Sequence, residues 1–275
     1  MTELLNDPMI QSGFGPFVIA GVIGWLLRGF GWVWAGLGFA IAYYCSVYLV
    51  MGAQITPITS TKKIALLGLG AVIVGLILDK LDLGRLKNSL VLILGAAAAA
   101  TWLVWPVAMR QSGLELAQWM ALPALYVIWV ALFTTSLDDT SAEDDATTTC
   151  LFGFTTGAVA ILGASVLLGQ LGIAIGAAAG AYVLLSLSNK PLNLGYSYTY
   201  PVAMIGGLIG IAAVIYAKLP WYSLIPLAFI PAINYVPFGM DGHPVKRILC
   251  LIAMSSPIIA ISIYLTWRTT GAPSF

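Results

Sequence analysis

Charged side chains are scarce in this sequence. Asp, Glu, Lys and Arg make up 8% of the 275 residues, against about 25% in an ordinary soluble domain. The apolar set AVILMFWYC makes up 60%, and the mean hydropathy of the whole chain is +0.96. These values exclude a soluble globular fold. They predict a multi-pass integral protein of the cell (inner) membrane, surrounded by the lipid bilayer.

Cysteine and histidine are too few for the common metal and disulfide frameworks. Cys45, Cys150 and Cys250 show no Cys-x-x-Cys spacing, and His243 is the only histidine. We therefore expect no disulfide framework, no metal and no cofactor. The net charge of +1 and the lack of a large basic cluster exclude nucleic acid as an expected partner.

The common signatures of soluble enzymes are also missing. The sequence has no Gly-x-Ser-x-Gly, no His-Glu-x-x-His and no phosphate-binding glycine loop. The first sixteen residues contain no Lys or Arg, so we expect no cleaved signal peptide. These absences favour a protein that is not an enzyme. An interfacial lipid-processing enzyme stays open, with loops 79–88 and 239–247 as the place to look.

One long polar stretch divides the chain near its midpoint. Residues 134–149 carry five of the eleven acidic residues and no basic residue. That composition is typical of a flexible, solvated linker. It predicts an N-terminal membrane half at 1–133, an acidic polar linker at 134–149 and a C-terminal membrane half at 150–275.

Each predicted half contains five apolar segments of about membrane-crossing length. Alternating segments of ~10 residues, which would indicate a barrel, are absent. The sequence therefore predicts an all-α polytopic bundle of about 10 transmembrane helices. The predicted spans are Met9–Leu27, Gly31–Ala53, Ile64–Leu78, Ser89–Met109, Leu116–Phe133, Cys150–Leu168, Leu171–Leu187, Pro201–Ala217, Trp221–Phe238 and Ile248–Trp267.

The two halves share an order of features, which suggests an internal repeat. With an offset of 138, Gly68 and Ile73 match Gly206 and Ile211. Because five is odd, two such halves would have inverted topology, a common plan among secondary transporters. The layout resembles that of drug/metabolite transporters, and ammonium and urea channels also have inverted five-span halves. This resemblance implies a small-molecule transporter or permease. No residue motif of these families is present, so it assigns no functional residues.

The ninth span, Trp221–Phe238, is the predicted solute path. Pro226, Pro231 and Pro237 each remove a backbone donor and free a carbonyl one turn earlier. In lipid those carbonyls need partners, which predicts a discontinuous helix beside a polar cavity. The alternative is a kinked helix whose carbonyls are met by neighbouring side chains. The expected substrate-binding residues are Asn234 and Tyr235, faced by Tyr43, Tyr44 and Ser46 on the second span.

A second candidate group lies at the end of the third span. Asp79, Lys80 and Asp82 could form a gate or coupling group, and the alternative is a solvated interfacial cluster. No apolar segment holds a clearly central charged residue. Hydrophobic or weakly polar small molecules are therefore the expected solutes, rather than ions.

Small residues are spaced for close helix contact in the second half. Gly172, Gly176 and Gly180 are four residues apart, a spacing that lets helix backbones approach. Such Gly/Ala-rich helices could pack within the chain, in a homo-oligomer or in a larger membrane complex. A non-catalytic subunit of such a complex is therefore the other non-transport function that stays open.

Overall fold

The computed structural model is helical throughout its regular structure and confirms the predicted all-α membrane bundle. Eight helices are long and apolar enough to cross a membrane, and α2 adds an apolar helix of 20 residues. The structure describes residues 7–54, 56–81, 83–135, 141–163, 165–188, 192–217, 219–236 and 243–270.

Ten α-helices form the described bundle. In chain order they are α1 (Gly15–Leu27, continuing a π-helical turn at Ile10–Phe14), α2 (Trp32–Met51), α3 (Ser60–Leu81), α4 (Arg85–Ala108), α5 (Gly113–Thr135), α6 (Ala142–Leu162), α7 (Val166–Ser186), α8 (Tyr196–Tyr216), the short α9 (Leu224–Phe229) and α10 (Pro244–Thr270).

Hydrogen bonds between helix ends show which end of the bundle each helix reaches. We call the end at which α1 begins the N-side. Ser46, late in α2, donates to the carbonyl of Gln11 there at 2.5 Å. At the opposite side, Arg28 follows α1 and donates to Ser188 Oγ after α7 at 2.7 Å. Successive long helices therefore alternate in direction across the bundle.

A broken crossing, Trp221–Tyr235, completes the bundle between α8 and α10. The Tyr222 hydroxyl lies 3.4 Å from Thr269 Oγ1, near the N-side end of α10. Asn234 Nδ2 donates at 2.9 Å to Thr148 Oγ1, near the opposite-side end of α6. At ~2.0 Å per 3-10 residue and ~1.5 Å per α residue, the segment covers about 26 Å. The described chain thus passes ten times between the two sides of the bundle, which is consistent with the ten predicted spans.

The predicted linker needs correction, because 134–149 is largely helical and buried. Its first two residues end α5 and its last eight begin α6. Asp144 is 1% exposed and Asp145 is 6% exposed. Asp144 is buried because Arg247 of α10 supplies its countercharge. Residues 136–140 lie outside the described chain, and the division into two halves stays a prediction.

The predicted boundary between the spans Cys150–Leu168 and Leu171–Leu187 is wrong. Helix α6 ends at Leu162 and α7 begins at Val166, so Gly169 lies inside α7. Assigning the polar start of α6 to a linker displaced the predicted start of this helix by eight residues and its end by six, whereas the predicted end of α7 differs from the observed end by one residue. For the same reason of polarity, the predicted eighth span begins only at Pro201, although Tyr196–Tyr200 already forms the start of α8.

Helices α6 and α7 pack with their backbones almost in contact. A Cβ atom at Gly172 would lie 2.6 Å from Gly157 Cα, and one at Gly176 would lie 2.6 Å from Phe154 N. Neither position can hold a larger residue without moving a backbone. The small-residue spacing therefore serves a contact inside this chain, and an oligomer through Gly/Ala-rich helices stays a prediction.

Helix α8 is the central helix of the bundle. In its most apolar 18-residue window, 89% of the residues are buried, against 39% for α3. It packs against every helix from α2 to α7. The core therefore follows α8, and the broken crossing and α10 lie to one side of it.

Candidate functional site

The broken crossing contains the main departure from regular helix. Trp221–Ser223 and Pro231–Tyr235 are 3-10 turns that flank the six residues of α9. Pro226 and Pro231 lack the backbone donor that a continuous helix would use. The predicted discontinuity is therefore confirmed, while Pro237 lies outside the described residues.

Neighbouring side chains meet part of the backbone that the breaks expose. The indole Nε1 of Trp129 donates to the carbonyl of Ala228 at 3.1 Å. Ser262 Oγ donates to the carbonyl of Ser223 at 3.3 Å. The structure combines elements of the two interpretations of the sequence. The helix is discontinuous, as the first predicts, and neighbouring side chains donate hydrogen bonds to some of its carbonyls, as the second predicts.

An apolar cavity that opens onto the outer surface of the bundle lies on one face of the broken crossing, and its lining residues Leu122 and Trp221 are 63% and 65% exposed. Its volume is about 540 Å³, within the ~300–1,000 Å³ typical of small-molecule sites. Helices α5 and α8 form its other sides. Gln118 and the hydroxyl-bearing Tyr126 are its two polar lining residues. The remaining lining residues are Trp119, Leu122, Pro123, Trp129, Ile211, Val214, Ile215, Trp221, Leu224, Ile225, Ala228 and Phe229.

The Tyr126 hydroxyl lies at the inner edge of this cavity. It is buried and has no hydrogen-bond partner among the described residues. The absent side chain of Gly210 makes room for it, since a Cβ there would lie 3.2 Å from the hydroxyl and 3.2 Å from Leu224 Cδ2.

The other face of the broken crossing is polar. At the opposite side of the bundle, Arg247 Nη2 forms an ion pair with Asp144 Oδ2. One turn further into α6, Thr148 Oγ1 donates to the carbonyl of Asp144 at 2.8 Å and accepts the hydrogen bond from Asn234. These contacts join α6, α10 and the broken crossing.

Helix α10 continues this polar face towards the N-side. Arg247, Ser255, Ser262 and Thr266 lie within an arc of roughly 100° and span about 29 Å along the helix. The last three are 0% exposed. Because α10 packs on α6 and on the pieces of the broken crossing, this buried stripe faces those elements.

We call the combined surface the polar seam. Several of its polar atoms have no hydrogen-bond partner among the described residues. A buried neutral group without a partner lowers the stability of a protein by about 1–3 kcal/mol. Those atoms are Ser223 Oγ, Asn234 Oδ1, Arg247 Nε and Ser255 Oγ. The seam is formed by Asp144, Thr148, Thr155, Ser223, Asn234, Arg247, Ser255, Ser262 and Thr266.

The residues expected to face Asn234 from the second span lie elsewhere. Helix α2 packs mainly on α1, α3, α7 and α8, whereas Pro231–Tyr235 packs on α5, α6, α9 and α10. Tyr43 is 0% exposed and packs in the core beside Phe39, 6.3 Å between ring centroids. The structure therefore does not bring Tyr43 to Asn234.

The other two candidates on α2 bind backbone carbonyls. The Tyr44 hydroxyl donates to the carbonyl of Ala65 at 2.6 Å, and Ser46 donates to that of Gln11. The expected pairing of Tyr44 and Ser46 with the broken crossing is wrong for this arrangement, since both hydroxyls tie α2 to neighbouring helices. A sequence cannot distinguish such a tie from a solute contact.

Asn234 and Tyr235 point to different surroundings. Asn234 is 9% exposed, whereas Tyr235 is 45% exposed. The Tyr235 ring packs edge-on against Phe133, 5.3 Å between centroids. The structure therefore places Asn234 in the polar seam and Tyr235 on the outer surface near α5.

Asp79 caps a neighbouring helix. Its Oδ1 accepts the backbone N–H of Tyr196 at 2.7 Å, and its Oδ2 accepts that of Ser197 at 2.8 Å. These are donors that the start of α8 cannot use internally. Lys80 is exposed, and Asp82 lies outside the described residues. A gating or coupling role for these three residues stays a prediction.

The sequence interpretation missed most of the polar seam, although a signal for it exists. Asp144, Thr148 and Thr155 recur at helical spacing inside and after the predicted linker. Ser255 and Ser262 likewise share one face of the last apolar span. A polar face along a membrane helix points towards the bundle interior or a water-filled cavity. No protein-family model and no curated protein matches this chain.

Proposed function

We propose that this chain is a permease for small, mainly apolar molecules, which it binds in the cavity beside the broken crossing. One observation carries the proposal: the first part of the discontinuous crossing, from Trp221 to Phe229, lines a cavity of about 540 Å³. In secondary transporters, discontinuous helices commonly form the substrate site near the middle of the membrane.

The lining of the cavity indicates the class of solute. Indole rings and aliphatic side chains favour an apolar body, while Gln118 and Tyr126 offer few hydrogen bonds. No charged residue lines the cavity, so an ion would bind without a countercharge. A neutral aromatic or aliphatic molecule with one hydroxyl or carbonyl group fits these surroundings.

The inverted repeat is part of this proposal. Helices α3 and α8, which correspond in the two halves, run in opposite directions and pack against one another. Their burial is unequal, with α8 at the centre and α3 nearer the surface. A repeat of this kind would supply two related conformations that open the cavity to opposite sides.

Ligand binding by the purified protein tests the proposal. The protein is placed in lipid nanodiscs, and 4-fluorophenol, 1-naphthol and a neutral tricyclic ketone serve as probes. We expect saturable binding above empty nanodiscs for at least one probe, followed by its counterflow in liposomes. Fluorine NMR reports the fluorinated probe, and equilibrium dialysis reports the others.

A matched pair of variants locates the binding. Ala228→Trp fills the cavity and should weaken probe binding at least tenfold. Ala121→Trp changes an exposed residue of α5 outside the cavity lining and should leave binding unchanged. Absence of saturable binding for all three probes, or equal effects of the two variants, would overturn the proposed site.

A further inference from the structure

The polar seam is a packed helix interface that contains buried polar atoms without a hydrogen-bond partner among the described residues. Helix α10 exposes apolar residues such as Ile252, Ile261 and Tyr264 on its outer face. Its inner face carries Ser255 and Ser262, both 0% exposed. A membrane helix with an apolar outer face and a polar inner face is suited to bound water on the inside.

Some hydrogen bonds of the seam join neighbouring elements, as at Asn234–Thr148 and Ser262–Ser223, whereas other seam hydroxyls bond only within their own helix or have no partner in the described part of the chain. Polar residues that hold membrane helices together bond across the interface. Here Thr155 bonds the carbonyl of Leu151 in its own helix at 2.7 Å, and Thr266 bonds that of Ser262 at 2.8 Å. Ser255 Oγ has no partner among the described residues. These hydroxyls are therefore available to a molecule that enters the seam.

The seam reaches both ends of the bundle. Ser223 and Ser262 lie towards its N-side end, where the Ser262 hydroxyl approaches the Ser223 carbonyl. Asp144 and Arg247 lie at the opposite end and pair with each other. Between them, Ser255 is about 12 Å from the level of Arg247 along α10. The ion pair is thus placed at one end of the row of buried polar residues along α10.

We propose that the polar seam is an aqueous permeation route for water and small uncharged solutes that carry hydroxyl or amide groups, closed at the opposite side by the Asp144–Arg247 pair. Serine and threonine hydroxyls can both donate to and accept from such solutes. The single ion pair of the seam neutralises itself and leaves no net charge for an ion. This route is separate from the apolar cavity, because the broken crossing lies between them.

Cysteine accessibility in membranes tests the route. In a background with Cys45, Cys150 and Cys250 replaced by Ala, single variants Ser255→Cys and Ser262→Cys are treated with a water-soluble cationic methanethiosulfonate reagent. We expect both to react at least tenfold faster than Ile261→Cys, which faces outward on the same helix, and Ala174→Cys, which is buried in α7. Equal rates at all four positions would overturn the route.

The closing pair is tested in the same background. Arg247→Gln combined with Ser255→Cys should react at least threefold faster than Ser255→Cys alone, when reagent is added from the opposite side. An unchanged rate would remove the ion pair as the closure. Circular dichroism and detergent-solution chromatography confirm that each variant is folded before it is compared.

Solute flux gives a readout that labelling cannot. Stopped-flow light scattering should show urea and glycerol entering proteoliposomes at least twofold faster than protein-free liposomes, and Ser255→Leu should abolish the increase. No increase over protein-free liposomes would contradict permeation. Ala228→Trp fills the apolar cavity and leaves the seam intact, so it should not alter urea flux. This contrast separates failure of the route from failure of the proposed permease.

Discussion

Asn234 donates a hydrogen bond from Nδ2 to Thr148 Oγ1 at 2.9 Å, although the two residues are 86 positions apart in the chain. The bond connects the last 3-10 turn of the broken crossing to the second turn of α6. It also lies beside the Asp144–Arg247 pair, because Thr148 bonds the carbonyl of Asp144. The end of the broken crossing is therefore held by α6 rather than by regular helix geometry.

This bond predicts a coupled loss of stability. Asn234→Leu and Thr148→Val should each destabilise the protein, and the double variant should lose less than the sum. Polar pairs of this kind in membrane proteins contribute about 0.6 kcal/mol on average and up to ~1.7 kcal/mol. A double-mutant cycle of detergent unfolding measures the coupling. Ser256→Ala, at an exposed position of α10, serves as control, and fully additive losses would contradict the prediction.

Asp79 provides a test that separates capping from coupling. Asp79→Ala should lower the free energy of unfolding by about 3 kcal/mol, since two hydrogen bonds to a charged group are lost. Asp79→Asn should lose less, because one side-chain oxygen still accepts. Lys80→Gln should have an effect within about 0.5 kcal/mol. If Asp79→Asn were fully stable but abolished solute transport, the coupling hypothesis would be supported instead.

The ion pair of the seam predicts unequal effects of single and double variants. Arg247→Gln leaves Asp144, which is 1% exposed, without its countercharge, and should destabilise the protein by about 3 kcal/mol. Adding Asp144→Asn removes the buried charge and should restore part of that loss. Thermal unfolding in detergent measures all three variants. A double variant less stable than Arg247→Gln alone would show that the pair is not the dominant interaction.

The direction of the broken crossing predicts the sidedness of the loops. Gln54 and Leu83 are exposed at the two ends of α3, and His243 precedes α10. In the cysteine-free background, Leu83→Cys and His243→Cys should react from the same side of the membrane, and Gln54→Cys from the other. Labelling of oriented vesicles with an impermeant maleimide measures this. If His243→Cys reacted with Gln54→Cys, the segment 221–235 would not be a crossing.

The sequence was sufficient for the features that depend on local pattern. Long apolar runs predict most of the crossings, and the prolines at 226 and 231 predict where the ninth is broken. Both signals act within a few residues of the structure they determine. Hydropathy and backbone chemistry therefore carried most of the fold.

The candidate site depended on partners that the sequence does not connect. From the sequence alone, Asp144 is predicted to lie in a solvated linker. The structure shows that it pairs with Arg247, which lies about a hundred positions later in the chain. Tyr44 and Ser46 are likewise predicted to contact a solute. In the structure their hydroxyls donate hydrogen bonds to the carbonyls of Ala65 and Gln11. In each case the decisive interaction is a tertiary contact, which overrides the local composition.

The backbone contact between α6 and α7 makes the α6 side of the polar seam more tightly packed than the α10 side. The backbones of α6 and α7 are in contact at Gly157 and Gly172. We therefore expect α6 and α7 to move together as one rigid unit. Helix α10 has only 17% of its most apolar window buried and rests on α6 and the broken crossing. If the seam widens, we expect α10 and the broken crossing to move away from α6 and α7, which stay together.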